Sequence, residues 1–426
     1  MSILSSFNIG VSGLSAAGNS MSVVGDNIAN SGTFGFKKSR AQFQDMLSKS
    51  LKGIDGGDQI GSGTKLAHVT PLFVQGSITR TDNITDLALN GNGFFAVKAP
   101  FGRGYTRDGS FHFDKEGNLV NSDEMPIMGF LADGDGKLTQ KTGAIRLGNT
   151  TIPAMASTEV NFMMNLDSRE EIMQFNPEDP DRTSSFNSSA VVYDNVGTER
   201  LLSVYFNKAA DNTWEYHVMA DGGDVNGGTA GKLVEQGNGR LVFNNLGQLQ
   251  EEIPGANSFN FNKGAAPNQQ ILFNFGESIS EGGNGRGLSS QFGSQSTVAR
   301  TTSDGSNAAT LASVSFNDEG VLLAMYDNGE VRNLAQVAIA KFENNEGLFK
   351  TGKNLFKETR KSGQASYGKP GIDGRGSILS KSIELSNVDI ADEFINLMNA
   401  QRNFQANTRT ITTADAMLQE ILNIKR

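Results

Sequence analysis

The side chains that most readily carry out chemistry are few in this chain and lie far apart. The 426-residue sequence has no cysteine and only three histidines, His68, His112 and His217. No histidine has a second histidine or a carboxylate cluster at the spacing of a metal site. The absence of cysteine removes thiolate ligands, cysteine nucleophiles and disulfides. We therefore interpret the three histidines as ordinary surface or core residues.

Three further motifs match functional elements only in part. Asp133-Gly134-Asp135-Gly136 begins like a calcium loop, but Leu138 and Ala144 occupy the positions that require Gly and Glu. Gly61-Ser62-Gly63-Thr64-Lys65 lacks the Gly-Lys pair of a phosphate-binding loop. The neighbouring carboxylates Glu170-Glu171 do not by themselves define a general acid and a general base. The sequence thus predicts no catalytic residue, no metal ligand and no cofactor, and we expect a protein that is not an enzyme.

The charge and the hydropathy pattern restrict the partners. The formal net charge is −9 and the isoelectric point is about 5.1. An acidic protein is repelled by phosphate backbones and by anionic lipid, so we expect no nucleic acid among its partners. No apolar run approaches the ~20 residues of a membrane helix, so we expect no membrane insertion. The first residues lack the features of a cleavable secretory signal, which predicts that any export proceeds without signal cleavage.

The elements most able to organise the chain are two helices at its ends. Positions at alternating steps of four and three form a seam on each helix, the heptad pattern of helix-on-helix packing. The expected seam of the first helix consists of apolar or small residues, Ile3, Phe7, Gly10, Leu14, Ala17, Met21, Val24 and Ile28. The expected seam of the second helix runs through Ile390, Phe394, Leu397, Gln401, Phe404, Thr408, Ile411, Asp415, Leu418 and Leu422. The pattern leaves open whether the partner helix belongs to the same chain or to a neighbouring one. The large apolar side chains on these seams are the residues that we expect to drive polymerisation: Phe7, Leu14, Met21, Val24, Ile28, Phe394, Leu397, Phe404, Ile411, Leu418 and Leu422.

The region between the helices has short alternating runs separated by turns, which favours all-β barrels or sandwiches. One hairpin pattern, Phe-x-x-Glu-Gly-x-Leu, occurs twice, at 113–119 and at 316–322. The predicted fold class is mixed and mainly β: a terminal α-helical coiled coil and two all-β domains, the outer inserted in the inner. Glycine-rich stretches set the expected boundaries: a helical domain at 1–30 and 385–426, an extended linker region at 31–70 and 365–384, an inner β domain at 71–148 and 298–364, and an outer β domain at 149–297.

Two groups of short motifs stand near the ends of the chain. The first comprises Ser12-Gly13-Leu14, Asn27-Ile28-Ala29-Asn30, Thr33-Phe34-Gly35-Phe36-Lys37, Phe73-Val74-Gln75-Gly76, Gly91-Asn92-Gly93-Phe94-Phe95 and Tyr105-Thr106-Arg107-Asp108-Gly109-Ser110-Phe111. The second comprises Ser386-Asn387-Val388-Asp389, Gln401-Arg402-Asn403-Phe404-Gln405-Ala406-Asn407 and Thr413-Ala414-Asp415. In this order the motifs resemble the signatures of the bacterial flagellar rod and hook axial protein family. The residues carried over as family motif are Asn27, Ile28, Ala29, Asn30, Gln401, Arg402 and Asn407.

The resemblance implies a function and a set of partners. Rod members of the family are shorter and lack a large central insertion, so the chain is expected to be a hook subunit. Such a subunit polymerises with itself into a curved, flexible tube, a universal joint that transmits motor torque from rod to filament. The resemblance further implies contacts with the distal rod protein, the hook–filament junction protein, the hook cap and the flagellar type III export apparatus. It implies an extracellular location in the flagellum.

Two alternatives stay open. One is a distal-rod or hook-associated role within the same axial family, although the central insertion argues against the rod. The other is a secreted β-rich adhesin or glycan-active protein with helical ends. The lack of a catalytic constellation and the terminal motifs favour the first class over the second.

Overall fold

The computed structural model describes residues 3–47, 61–134, 136–148 and 150–424. The side chain of Leu422 lies outside the described part. The chain forms two compact units. We call Met1–Gly148, Ser313–Met325 and Val331–Arg426 the terminal unit, and Asn149–Ala312 with Tyr326–Glu330 the inserted unit.

The terminal unit contains the two long helices, Ile3–Ala29 and Ile390–Ile424. The first helix ends at Ala29, and the side-chain nitrogen of the next residue, Asn30, donates to the carbonyl oxygen of Asp26 at 2.8 Å. The second helix begins after Asp389, whose carboxylate accepts from the backbone N–H of Ala391 at 2.8 Å, as an N-cap does. Within the described residues, we find no helix that combines the length and the apolar character of a membrane span.

The strands of the terminal unit form small antiparallel sheets around two hydrophobic clusters, one containing Phe95 and Leu322 and the other containing Phe94 and Phe342. Ser39–Leu47 pairs with Gly61–Pro71. A six-stranded sheet has the order Phe349–Gly352, Leu355–Lys357, Gly102–Thr106, Phe94–Ala99, Ile339–Lys341 and Ser366–Gly368. A second sheet contains, in order, Leu138–Ala144, Met128–Ala132, Val331–Val337 and Val321–Tyr326. The two-stranded pairs are Ile78–Arg80 with Ser382–Glu384, Leu87–Asn90 with Ser377–Ser380, and His112–Phe113 with Leu119–Val120. A single-turn helix lies at Asn345–Gly347.

The inserted unit is built around a larger antiparallel sheet. Its order is Phe186–Tyr193, Glu199–Ala210, Thr213–Asp221, Leu233–Phe243, Leu249–Phe259 and Gln269–Gln270. A second sheet joins Glu159–Asp167 to Leu272–Asn274, Ser289–Phe292 and Thr297–Ser303. The remaining elements are the strand Thr151–Ile152, the short helices Pro180–Thr183 and Ile279–Glu281, and Ala309–Phe316, which continues into the terminal unit. Trp214, Phe162 and Phe206 are fully buried in the core, so aromatic packing holds this unit together.

One turn type recurs in both units. In each copy a side-chain Oδ1 accepts from the backbone N–H four residues later, and the fourth residue is a glycine with positive φ. Five copies lie within the part of the chain that the structure describes: Asp114–Asn118, Asp133–Lys137, Asp194–Thr198, Asn244–Gln248 and Asn317–Val321. The repeated hairpin pattern of the sequence thus has a physical basis, because glycine adopts the left-handed conformation that closes this turn at little cost.

The observed architecture confirms a mainly β chain with helices at its ends. Two regions differ from the expected boundaries. Residues 31–70, expected as an extended linker, contain the antiparallel pair Ser39–Leu47 and Gly61–Pro71. The inserted unit reaches Ala312 rather than residue 297, because Thr297–Ser303 pairs with Glu159–Asp167.

Candidate functional site

The two terminal helices pack against each other within one chain. Glycines of the first helix allow this close approach. A Cβ atom on Gly13 would lie 2.5 Å from Oδ1 of Asn407, and one on Gly10 would lie 2.9 Å from Cγ1 of Ile411. Gly13, a residue of the Ser-Gly-Leu motif, thus leaves the space that the Asn407 amide occupies.

The contact face of the first helix follows the expected seam. Gly10, Ala17 and Val24 are buried. The larger members of the seam are half-buried: Phe7, Leu14, Met21 and Ile28. The spacing of seven between the buried positions is the period of a helix that faces another helix along its length.

The contact face of the second helix differs from the expected seam at every other position. Its buried residues are Glu393, Ala400 and Ala414, and its half-buried ones are Leu397, Phe404, Asn407, Ile411 and Leu418. These positions also alternate in steps of four and three. The expected seam instead used Phe394, Gln401, Thr408 and Asp415, one residue later in each case, and all four are exposed. The pairing selects small and polar residues because the glycines of the first helix bring the two backbones close together.

An exposed apolar ridge therefore remains on the second helix. Ile390, Phe394, Ile395 and Met398 have exposed fractions of 48%, 50%, 52% and 49%. At 100° per residue, Phe394 is rotated by one step from Glu393, and Met398 by a further 40°. The ridge thus points away from the first helix. We call these four residues the apolar ridge.

The Asn-Ile-Ala-Asn motif fastens the end of the first helix. Asn27 is buried; its Nδ2 donates to the carbonyl oxygen of Ser39 at 2.8 Å and to Oε2 of Glu393 at 3.2 Å. Its Oδ1 accepts from the Ser39 N–H at 2.8 Å. One side chain thus ties together the first helix, the strand that follows it and the second helix. Ala29 is exposed and makes no such contact.

The remaining motif residues of the second helix lie on its surface. Gln401 and Arg402 are exposed. Asn407 is half-buried and donates to the carbonyl oxygen of Asn403 at 2.9 Å. The structure therefore brings Asn27 and Asn407 to the helix pair but leaves Gln401 and Arg402 free to face solvent.

A buried ionic cluster lies in the terminal unit, between the segment that follows the first helix and the strand that precedes the second. Glu384 accepts from Nζ of Lys37 at 2.5 Å, from Nη1 of Arg107 at 3.2 Å and from the N–H of Gly76 at 2.9 Å. The side chains of Lys37 and Glu384 are 0% exposed, and that of Arg107 is 3% exposed. Lys37 also donates to the carbonyl oxygen of Val74 at 2.9 Å. Three of the sequence motifs meet at this carboxylate, and sequence reasoning missed it.

The electrostatics of the cluster are unbalanced. Burial lowers the pKa of the Lys37 ammonium, and the nearby Glu384 carboxylate opposes that shift. Burial likewise lowers the pKa of Arg107, again opposed by Glu384. Among the described residues, the two buried cations Lys37 and Arg107 pair with one carboxylate, so the ionic cluster depends on the charge of Glu384. In the sequence, Glu384 is a lone acidic residue within Ser382-Ile383-Glu384-Leu385. It belongs to no motif that would mark it as part of an ionic cluster.

Asn387 adds a second fastening beside the cluster. Its Oδ1 accepts from the N–H of Lys38 at 2.7 Å. Its Nδ2 donates to the carbonyl oxygens of Leu72 at 2.8 Å and of Val74 at 3.0 Å. The chain entering the β core and the chain leaving it are thus held together at the base of the helix pair.

A groove with a volume of about 720 Å³ runs beside the helix pair. The first helix lines it with small side chains, including Ala16 and Ala17. The second helix contributes a row of amides, Asn396, Asn399 and Asn403, and the strand Ser39–Leu47 supplies a wall. The groove therefore has a floor of small residues and a polar rim.

The three histidines lie apart from this region or serve packing. His217, in the inserted unit, stacks on Phe175 with ring centroids 3.9 Å apart, and its Nδ1 lies 2.8 Å from Oε1 of Glu235. His68 lies in the strand Gly61–Pro71 and His112 in a two-residue strand. Across the described residues, no group of three or more His, Asp or Glu side chains is arranged to hold a metal ion.

Four family models cover most of the chain. Residues 7–37 match the flagella basal body rod protein family, and residues 88–165 match the D1 domain of flagellar hook protein FlgE/F/G. Residues 165–306 match the D2 domain of flagellar basal body protein FlaE, and residues 379–424 match the C-terminal family of flagellar basal body rod FlgEFG proteins. The matches follow the order of the motifs along the chain.

Relatives and a solved structure extend the match to the full length. The chain is 33% identical to flagellar hook protein FlgE of Escherichia coli over 98% of its own length and 100% of the relative. It is 34% identical to the FlgE of Borreliella burgdorferi, with 98% of each chain covered. The crystal structure of flagellar hook protein FlgE2 of Helicobacter pylori shares the fold, with a TM-score of 0.52 and 14% identity over 71% of this chain and 99% of that one. With this identity along nearly its whole length, the chain belongs to the flagellar hook protein family.

Proposed function

We propose that this chain polymerises into a curved, flexible tube that transmits torque between the flagellar rod and the filament. As a member of the hook family, the chain is a structural subunit of the hook. The observation that supports self-assembly is the apolar ridge, four large side chains about half exposed on one face of a terminal helix. Fully burying one such side chain contributes about 1.5–3 kcal/mol, so covering the ridge with a neighbour is strongly favoured.

The polymerisation surface includes the terminal helices. The ridge residue Phe394 is one of the expected polymerisation residues, and its position away from the first helix leaves it for a second copy. Leu397, Phe404, Ile411 and Leu418 are half-buried against the first helix and act within one chain by holding the helix pair together.

We propose the finer parts of the function with family membership as their support. The role is structural and not enzymatic. Its other partners are the distal rod protein, the hook–filament junction protein, the hook cap and the flagellar type III export apparatus. The working location is the extracellular hook, reached by export without cleavage of a signal peptide. Copurification of each named protein with the assembled tube tests each partner separately.

Sedimentation and electron microscopy of the purified full chain test the polymerisation. We expect the wild type to form tubes above a critical concentration. Met398→Glu places a charge on the ridge and should raise that concentration at least tenfold, about 1.4 kcal/mol per subunit contact. The matched control is Leu246→Glu, which makes the same kind of change at an apolar side chain that is 68% exposed in the inserted unit. Tubes from Met398→Glu at the wild-type concentration, together with loss of tubes in Leu246→Glu, would contradict the proposal.

A further inference from the structure

A short hairpin of the β core lies against the segment through which the chain leaves the first helix. We call Phe349–Lys357, the two strands at one edge of the six-stranded sheet with the turn between them, the edge hairpin. Gly352 pairs with Leu355, so Lys353 and Asn354 are the two central residues of its turn. The edge hairpin therefore closes through a two-residue connection, the commonest type.

The turn of the edge hairpin departs from the residues that such a turn prefers. Lys353 and Asn354 both have positive φ, 54° and 55°, as a type I′ turn requires. Asparagine tolerates this conformation, whereas it is unfavourable for lysine because of its Cβ atom. Nζ of Lys353 donates to Oδ1 of Asp123 at 2.6 Å, and Nδ2 of Asn354 donates to the carbonyl oxygen of Phe34 at 3.1 Å. Contacts with other elements thus hold the turn in its conformation.

The strand residue Lys350 contacts both the first helix and the segment that follows it. Its Nζ lies 4.5 Å from the centre of the Phe36 ring and 3.7 Å from Oδ2 of Asp26. The Lys350 side chain is 35% exposed, and Phe36, whose ring it covers, is 3% exposed. An ammonium group is attracted to the face of an aromatic ring, and the carboxylate adds a second attraction. One side chain of the edge hairpin thus binds the last turn of the first helix and the chain leaving it.

The contact with Asp26 differs in position from the other bonds between the helix pair and the β core. Lys37 and Asn387 bond at the base of the helix pair, where the chain enters and leaves the core. Bonds at that point resist separation, but a rotation about the same point changes their lengths little. The bonds of Asn27 stay within the helix pair and its adjoining strand. Asp26 lies on the helix itself, eleven residues before Lys37, so a bond to Asp26 resists tilting of the helix.

We infer that the edge hairpin is a clamp that holds the helix pair in one orientation on the β core, with Lys350 as its positioning residue. Lys350 acts through Phe36 and Asp26, and the two bonds of the turn keep the hairpin in place. The inference rests on the proposed function, in which the helix pair is part of the assembly surface. The clamp then sets the direction in which each subunit presents that surface.

Spin labels on engineered cysteines measure this orientation, because the natural chain has no cysteine. Ser22→Cys labels the first helix and Lys115→Cys labels a turn of the β core, both at exposed positions. Pulsed electron paramagnetic resonance of the unpolymerised full chain gives the distribution of distances between the two labels. Lys350→Met keeps the length of the side chain and removes its charge. The tilted conformers should then increase roughly threefold to tenfold, the effect of one exposed cation–π contact and one surface ion pair.

Two further variants separate the clamp from a general effect of removing a charge. Lys350→Arg keeps a cation over Phe36 and should restore the distance distribution of the wild type. Lys357→Met is the matched control, because Lys357 lies in the same hairpin, 5.6 Å from the ring centre of Phe101, which belongs to the β core. This control should leave the distribution unchanged. The strand that carries Lys350 is exposed along its length, so Lys350→Met leaves the buried clusters intact.

The outcomes decide the inference independently of assembly. A wider distribution in Lys350→Met, absent from Lys350→Arg and from Lys357→Met, would support the clamp. A Lys350→Met distribution equal to that of the wild type, or equal widening in Lys357→Met or Lys350→Arg, would overturn it. Loss of the helical circular dichroism signal in Lys350→Met would also overturn it, since the clamp orients the helices and does not fold them. Because the chain is measured before assembly, a wild type without tubes would overturn the proposed function alone.

Discussion

Replacing Glu384 by glutamine should destabilise the terminal unit strongly. The substitution keeps the shape of the side chain and an oxygen that accepts hydrogen bonds, but it removes the carboxylate that pairs with both Lys37 and Arg107. Both cations then remain buried without a charge partner. Removing one partner of a buried ion pair costs about 3–5 kcal/mol. For a unit of this size, that corresponds to a fall in the melting temperature of roughly 10 °C.

Thermal unfolding of the unpolymerised chain, followed by circular dichroism and calorimetry, measures this loss. The matched control is Glu343→Gln, the same chemical change at an exposed residue of the terminal unit, which should leave the melting temperature unchanged. A second comparison isolates the electrostatic cause. Lys37→Met removes a cation and leaves Glu384 paired with Arg107, so it should lower the melting temperature less than Glu384→Gln does. The double variant should recover part of the stability lost in Glu384→Gln.

Two results would refute this reasoning. If Glu384→Gln melted like the wild type and the Glu343 control, the buried carboxylate would not balance the two cations. If Lys37→Met lowered the melting temperature more than Glu384→Gln, the stability of the ionic cluster would depend on the hydrogen bonds of Lys37 to Val74 and Glu384 and not on the excess of positive charge.

Further predictions concern the helix pair and the inserted unit. Gly13→Leu should force the helices apart at Asn407 and lower the stability of the helix pair by about 1–3 kcal/mol. The loss should appear as helical circular dichroism signal that disappears at a lower temperature. Gly18→Leu is its control, because a Cβ there meets no atom within 4 Å; equal losses would contradict close packing as the cause. Burial raises the pKa of the Glu252 carboxyl from 4.5 to about 7, so its protonated form favours folding. The resulting stability is complete below pH 4.5 and is lost as the pH rises through about 7. Glu252→Gln should therefore raise stability at pH 8 by roughly 2–3 kcal/mol and flatten the profile of melting temperature against pH; an unchanged profile would contradict this.

Much of the fold could be read from the sequence because its signals are local. Uninterrupted heptad spacing predicted the two helices, and their observed bounds, Ile3–Ala29 and Ile390–Ile424, lie close to the expected ranges. The repeated Phe-x-x-Glu-Gly-x-Leu pattern predicted hairpins because a side-chain acceptor with a glycine three residues later closes such a turn by itself. The motifs near the ends predicted the family because several of them occur in a fixed order.

The choice of contact face on the second helix could not be read from the sequence. Phe394 and Glu393 both fit a heptad seam, and hydrophobicity favours Phe394. The observed pairing buries Glu393, whose carboxylate accepts from Asn27 at 3.2 Å. Farther along the helix pair, Gly10 and Gly13 leave room for Ile411 and Asn407. A one-residue shift in the seam decides whether Phe394 belongs to the core or to an assembly surface.

The sequence by itself determined the local elements of this protein, the helices, the turns and the order of its motifs, because each depends on neighbours within a few residues. Only the tertiary structure decided which distant residues work together. The buried carboxylate of Glu384 binds both Lys37 and Arg107, although Lys37 and Glu384 lie 347 positions apart in the sequence. The groove beside the helix pair likewise exists only after the helices and the strand Ser39–Leu47 have packed. Burial and contact are properties of the folded chain, and no local pattern specifies them.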